Sequence, residues 1–223
     1  VTYDDGYASD YTATYTGSEI QPTVSVKMGS SWLKAKTDYT VSYENNINAS
    51  TDDQKAVAVI KGAGNYSGKE IRVTFTIKPQ TISGTLNVST KKTYTGKEIT
   101  LSSGEYTLTK IGKTYVEGQD FELSYEDNTN AGTATVYANG IGNYTGSVKA
   151  TFTIQKLSLT DSHVVVEPEK IADQIYTGNQ IKPDITLYYQ DDDGTKREIS
   201  NANYSLSYSN NKNIGQATIT ITG

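Results

Sequence analysis

A Tyr-Thr-Gly triplet occurs three times in this chain, at Tyr15-Thr16-Gly17, Tyr94-Thr95-Gly96 and Tyr176-Thr177-Gly178, with successive tyrosines 79 and 82 residues apart. The third residue after each triplet is an isoleucine: Ile20, Ile99 and Ile181. Self-similarity at a fixed long period is the signature of a structural unit used repeatedly, so whatever one copy folds into, the chain must fold into an array of it. The copies run over residues 1–78, 79–155 and 156–223. Each is small but long enough to enclose one core.

Downstream of the triplet every copy carries an alternating run: Tyr39-Thr40-Val41-Ser42-Tyr43, Phe121-Glu122-Leu123-Ser124-Tyr125 and Tyr204-Ser205-Leu206-Ser207-Tyr208. Apolar residues at every second position predict a strand with one buried face. Each run breaks at once into a polar turn, Glu44-Asn45-Asn46, Glu126-Asp127-Asn128 or Ser209-Asn210-Asn211. Asn and Asp tolerate the left-handed backbone and bond their own main chain, which gives the turn a mechanism. The chain is then expected to return as a hairpin partner, with Ala56/Ala58/Ile60, Ala134/Val136/Ala138 and Ala217/Ile219/Ile221 facing inward. Two copies continue through Gly64-Asn65-Tyr66 or Gly142-Asn143-Tyr144 to a closing strand, Val73–Ile77 or Ala150–Ile154. The third reaches Gly223, which aligns with Gly62 and Gly140, and is expected to lack that last strand. An earlier hairpin is expected in each copy, with Gly29, Gly112 or Asp193-Gly194 in its turn; in the first copy its strands are Thr23–Lys27 and Leu33–Ala35. About seven short strands per copy, and no sustained helical period, predict tandem immunoglobulin-like β-sandwiches with Greek-key connections. Links of two to four residues between copies predict stiff coupling, and strands of this length predict a reach of roughly 90–100 Å for three copies.

Composition narrows the chemistry. The formal net charge is −5, and acids outnumber bases in every copy, so no basic surface for nucleic acid or anionic lipid is expected. There is no cysteine and one histidine, His163, which removes disulfides, thiolate zinc sites and histidine metal clusters. A Ser-His-Asp triad would rest on His163, in Asp161-Ser162-His163-Val164, where a surface or interdomain histidine is the plainer reading. No apolar run is long enough to span a membrane. Val1 is not an initiator methionine, and the chain is read as beginning inside a longer protein.

The run from Tyr-Thr-Gly, through Asp38-Tyr39 or Asp120-Phe121 and Ser-Tyr-x-x-Asn, to Gly-Asn-Tyr-x-Gly and Phe-Thr-Ile resembles the bacterial immunoglobulin-like repeats of the MBG/YDG type. It departs from them at Asn203-Tyr204 and in the shortened third copy. The resemblance implies a repeat unit of secreted or cell-wall-attached bacterial proteins, where such units serve as stalks, adhesin segments or spacers beside carbohydrate-active modules.

Two residue sets are candidates for a ligand. Sugars stack on exposed aromatic faces, and tyrosines shared by all copies are most simply core or turn residues. The aromatics that differ between copies are therefore the informative ones: Trp32, Tyr115, Tyr188 and Tyr189, with Tyr106 beside them. Asp191-Asp192-Asp193-Gly194 is acidic enough to attract a hard cation such as Ca²⁺, but it lacks EF-hand spacing and its closing Glu, so a solvated turn is the plainer reading. A cation site using Asp52 and Asp53 is weaker still. No lysine recurs with a partner suited to an internal cross-link, and five Asn-x-Ser/Thr matches are expected by chance in such a sequence. No carboxylate pair sits in a recognisable glycosidase motif, so no catalysis is expected. The expected role is a semi-rigid extracellular bacterial stalk that presents other domains of the same long protein. The alternative is an adhesin repeat that binds a polysaccharide, glycan or host protein.

Overall fold

The computed structural model describes residues 7–68 and 70–223; Val1 lies outside them. The chain is all-β and sandwich-type, as the alternating runs predict. Among the described residues the one helical segment is the short 3-10 turn Asn201–Asn203, capped by Ser200. Among the same residues no helix is long and apolar enough to cross a membrane. The chain divides into two compact units. One takes the chain through Asn87 together with Thr107–Ser124 and Tyr137–Ala150; the other comprises Val88–Tyr106, Tyr125–Val136 and Thr151–Gly223. The border falls within residues 79–155, so compact units and sequence copies do not coincide.

In the first unit a four-stranded sheet has the order Tyr7–Thr14, Ile71–Lys78, Ala56–Gly62, Tyr39–Glu44. Its central strands pair antiparallel, with Tyr43 opposite Ala58 and Ala58 opposite Val73. Tyr7–Thr14 joins the outer edge in parallel, with Ala13 opposite Ile77. One face buries Ala56, Phe75 and Ile77 against Ile20, and half-buried Ala13, Tyr15 and Tyr43 pack round them. Removing a side chain such as Phe75 from water contributes about 1.5–3 kcal/mol, the main reason this alternation settles into a sheet. The middle copy repeats the order with Phe121–Glu126, Gly132–Gly140, Ser147–Gln155 and Lys92–Thr93.

The second unit shows two layers directly. The antiparallel sheet Val164–Glu167, Thr186–Gln190, Lys196–Glu198 supplies Val164, Val166, Leu187 and Tyr189 to a core that also takes Leu206, Ile219 and Ile221 from the hairpin Ser205–Ser209/Thr218–Thr222.

The turns after the alternating strands adopt the predicted geometry. Asn45, Asp127 and Asn210 have φ of 52°, 55° and 57°, the left-handed region open to few side chains other than Asn, Asp and Gly. The next residue in each is an asparagine whose Nδ2 donates to the carbonyl of the isoleucine after Tyr-Thr-Gly. The distances are 3.2 Å for Asn46 to Ile20, 3.0 Å for Asn128 to Ile99 and 2.9 Å for Asn211 to Ile181. Gly62 and Gly140 are required by close approach: a Cβ on Gly62 would come within 2.9 Å of the Tyr66 carbonyl oxygen, and one on Gly140 within 2.8 Å of the Thr145 nitrogen.

Two expectations need correction. The early hairpin of the first copy pairs only Lys27–Met28 with Ser31–Trp32, shorter than and offset from the expected Thr23–Lys27 and Leu33–Ala35. Its turn at Gly29 is as expected, but beyond it only Leu33 N–H to Val26 O, at 3.0 Å, extends the pairing. Ala217 is exposed, and Ile219 and Ile221 are only half-buried, whereas Ala56, Ala58, Ile60, Ala134, Val136 and Ala138 are all buried. Inward orientation buries a side chain only where a neighbouring strand closes over it.

Candidate functional site

The four aromatics singled out from sequence have four different fates. Trp32 is 66 % exposed on the short hairpin, and Lys27, its cross-strand neighbour, holds Nζ 5.3 Å from the ring centre. Beside this hairpin an open groove of about 430 Å³ has a mixed lining that includes Val26, Leu33, Asp38, Tyr39, Ser67 and Ile71; Trp32 is not part of its wall. Tyr115, in the corresponding hairpin of the middle copy, is 5 % exposed. Tyr188 and Tyr189 are consecutive strand residues and point to opposite faces of their sheet. Tyr189 turns toward the core side and stacks on His163, with centroids 5.3 Å apart and planes 9° from parallel. The Arg197 guanidinium lies 5.1 Å from the same ring. Burial, with help from nearby carboxylates, raises the Tyr189 phenol above its usual pKa. Tyr188 lines an open groove of about 610 Å³ on the outer face with Val165, Thr186 and the Glu167–Lys196 ion pair.

The three aspartates do not converge. Asp191 faces Arg197 through both carboxylate oxygens and Lys97 Nζ at 2.7 Å. Hydrogen bonds from Arg197 and then Lys97 hold its carboxyl far below the usual carboxylate range. Asp193 accepts the Thr195 N–H at 2.9 Å and thereby ties its own turn; that bond holds its carboxyl below the ordinary value. Asp192 lies 3.4 Å from His163 Nε2. Among the described residues no group of three or more histidine or acidic side chains is placed to hold a metal ion.

What the structure brings together instead is the Tyr-Thr-Gly turn of one copy and side chains of the next. Within the first unit Tyr15 meets the edge of Tyr144, with centroids 5.5 Å apart, and Tyr144 meets Tyr115 at 5.2 Å. Lys113 sits over both of those rings, 4.4 Å from Tyr144 and 4.9 Å from Tyr115, hydrogen-bonds the Tyr144 hydroxyl and lies 3.7 Å from Asp120. Burial opposes the charge on this ammonium, but the Tyr144 hydrogen bond and Asp120 outweigh it and raise its pKa. Beside this cluster Asn143 bridges the copies: its Oδ1 accepts the Ala49 N–H at 2.7 Å and its Nδ2 donates to Asn48 Oδ1 at 3.1 Å. Gln80–Thr81 pairs in parallel with Tyr144–Thr145.

Within the second unit the turn Tyr94-Thr95-Gly96 is held in the same sense by other chemistry. Arg197 donates to the Thr95 carbonyl through Nε at 3.1 Å and Nη2 at 2.8 Å while paired with Asp191. Planar guanidinium geometry satisfies carbonyl and carboxylate at once, which a lysine ammonium cannot reproduce. These turn-to-copy contacts were missed from sequence. The one available signal was that Arg197 is one of only two arginines in the chain, the other being Arg72. No family model, curated protein or solved structure matches the chain.

Proposed function

We propose that the chain is part of an extracellular bacterial surface protein built from MBG/YDG-like immunoglobulin-type repeats, and that it serves as a semi-rigid spacer presenting other domains of that protein, with no catalysis of its own. The observation that carries this reading is the capture of the Tyr-Thr-Gly turn of one copy by side chains of the next. Tyr15 is held by Tyr144, and Thr95 by Arg197. A flexible array has no use for aromatic packing and two-point guanidinium bonds at such places, whereas a spacer that transmits position does. The sequence motif recurring at fixed spacing, with two to four residues between copies, supports the same reading.

A second reading, adhesion to a glycan, polysaccharide or host protein, is favoured by one observation. Trp32 is largely exposed to solvent, beside an open groove of mixed lining. Retention of the intact chain on a panel of immobilised polysaccharides and glycans, with Trp32→Ala in parallel, separates the two. The spacer predicts no retention by either protein. Retention of the parent chain that Trp32→Ala abolishes would replace the spacer reading with the adhesive one.

A further inference from the structure

Lys113 and Arg197, the cations at the two copy junctions, occupy one position of the repeat. Each stands two residues before a buried side chain whose N–H crosses the early hairpin: Tyr115 donates to the Leu108 carbonyl at 3.0 Å and Ile199 to the Leu187 carbonyl at 2.8 Å. Each also pairs with the residue two beyond that carbonyl, Lys113 with Lys110 and Arg197 with Tyr189. Their surroundings differ. Lys113 stands among Tyr15, Tyr115, Tyr144 and Asp120. Arg197 stands over Tyr189, and on that ring is stacked His163, the chain's one histidine. Only histidine has an ordinary pKa between about pH 5 and 8, so the second junction alone carries such a side chain.

A carboxylate faces each ring nitrogen of His163: Nδ1 lies 2.8 Å from Asp161 and Nε2 3.4 Å from Asp192. Asp192 adjoins Asp191, which gives both oxygens to Arg197 and takes Lys97 of the preceding copy. The His163 carbonyl also accepts the Gln190 N–H at 2.7 Å, at the foot of the same turn. Asp161, Asp191 and Asp192 all face the Tyr189 phenol, and Asp193 faces Arg197. A neutral imidazole has one N–H and one lone pair, whereas the imidazolium has two N–H groups, so only the imidazolium can donate to both carboxylates. We infer that His163 makes the junction between the second and third copies pH-sensitive: protonated, it ties the turn at residues 191–194 to Asp161 and so fixes the carboxylate that orients Arg197 on Thr95; neutral, it lets Asp192 go. Asp191 keeps Arg197 and Lys97, so the joint slackens without opening. The Asp161 hydrogen bond outweighs burial and, with help from Asp192, raises the His163 pKa. The tie is therefore complete below about 6.5 and is lost as pH rises through the higher folded value. Coupling of this kind is reciprocal, so whatever loosens the hold on Thr95 must lower the His163 pKa. The inference rests on the contacts around Arg197 and goes beyond the spacer reading.

The test uses the intact chain. As the only histidine, His163 gives a single ring titration by NMR. Arg197→Lys keeps the local charge and is expected to lower the His163 pKa, whereas Arg72→Lys, at the other arginine, is expected to leave it unchanged. Spin labels at Glu98→Cys and Lys212→Cys are expected to give a narrow distance distribution at about pH 5 and a wider one at about pH 8. That pH dependence is expected to vanish in His163→Gln and in Asp192→Asn, the latter a change at a fully exposed side chain. A His163 pKa indifferent to Arg197→Lys would overturn the inference, as would a pH dependence that survives either His163→Gln or Asp192→Asn. Equal widths at the two pH values would overturn it as well; if equal and narrow they leave the spacer standing, and if equal and broad they remove the spacer too.

Discussion

Asn46 and Ile20 hold each other by two hydrogen bonds, Ile20 N–H to the Asn46 carbonyl at 2.8 Å and Asn46 Nδ2 to the Ile20 carbonyl at 3.2 Å. The pair ties the turn after the alternating strand to the residue that opens the core, and Asn128–Ile99 and Asn211–Ile181 repeat it. Asn46→Ala and Asn128→Ala each remove a buried donor and leave a carbonyl without it, so each is expected to cost about 1–3 kcal/mol in urea unfolding. Asn211→Ala is expected to cost less, because Asn211 is half-exposed and water replaces the lost donor.

Gly140→Ala is expected to destabilise the chain by about 1–3 kcal/mol, as overpacking does in a close-packed site. The new methyl would meet backbone atoms of Tyr144 and Thr145, not a yielding side-chain tip. Gly112→Ala is a useful contrast, because its Cβ would meet nothing within 4 Å and only its φ of 75° opposes the change. Chemical denaturation of the two variants separates contact from backbone strain.

His163 gives stability a pH dependence of known sign. The hydrogen bond between its ring and Asp161, at 2.8 Å, outweighs burial and, with help from Asp192, raises its pKa above the ordinary histidine value. The stabilisation is therefore fully present below the unfolded value of about 6.5 and is lost as pH rises through the higher folded value. His163→Gln is expected to flatten the melting temperature across that window. Asp161, whose carboxyl is lowered first by the His163 N–H and then by its ring, contributes above about 3.9 and loses that contribution as pH falls through its depressed value.

Arg197→Lys keeps the charge but loses the two-point bond to the Thr95 carbonyl. A loss of about 1 kcal/mol is expected in thermal or urea unfolding, the usual worth of a hydrogen bond of this kind. Unchanged stability would mean that the guanidinium contacts are replaceable by a lysine and water.

Much of the fold was legible because period-2 alternation and Asn/Asp turns act locally: Tyr39–Glu44 and Phe121–Glu126 are strands, and Asn45, Asp127 and Asn210 take the left-handed backbone. Partner choice was not. Nothing in the residues of Tyr7–Thr14 announces parallel pairing with Ile71–Lys78, because an edge strand's hydrogen bonds are made by its backbone. Trp32 and Tyr115 occupy similar hairpins, yet one faces solvent and the other is buried against Tyr144, 29 residues further along the sequence, although the first copy has Tyr66 at the matching position. The acidic run at Asp191 suggests a cation ligand, whereas Asp191 pairs with Lys97, 94 positions away. Long-range ion pairs leave no mark in a local acidic run.

Spin-label distances test the spacer most directly, and the chain has no cysteine to interfere. Asp53→Cys with Ile111→Cys spans the first pair of copies inside one unit, and Glu98→Cys with Lys212→Cys spans the second pair inside the other. Double electron–electron resonance is expected to give one narrow distance for each pair, with the second broadened by Arg197→Lys. Broad distributions in the otherwise unaltered chain would contradict a spacer whose copies are locked through their Tyr-Thr-Gly turns.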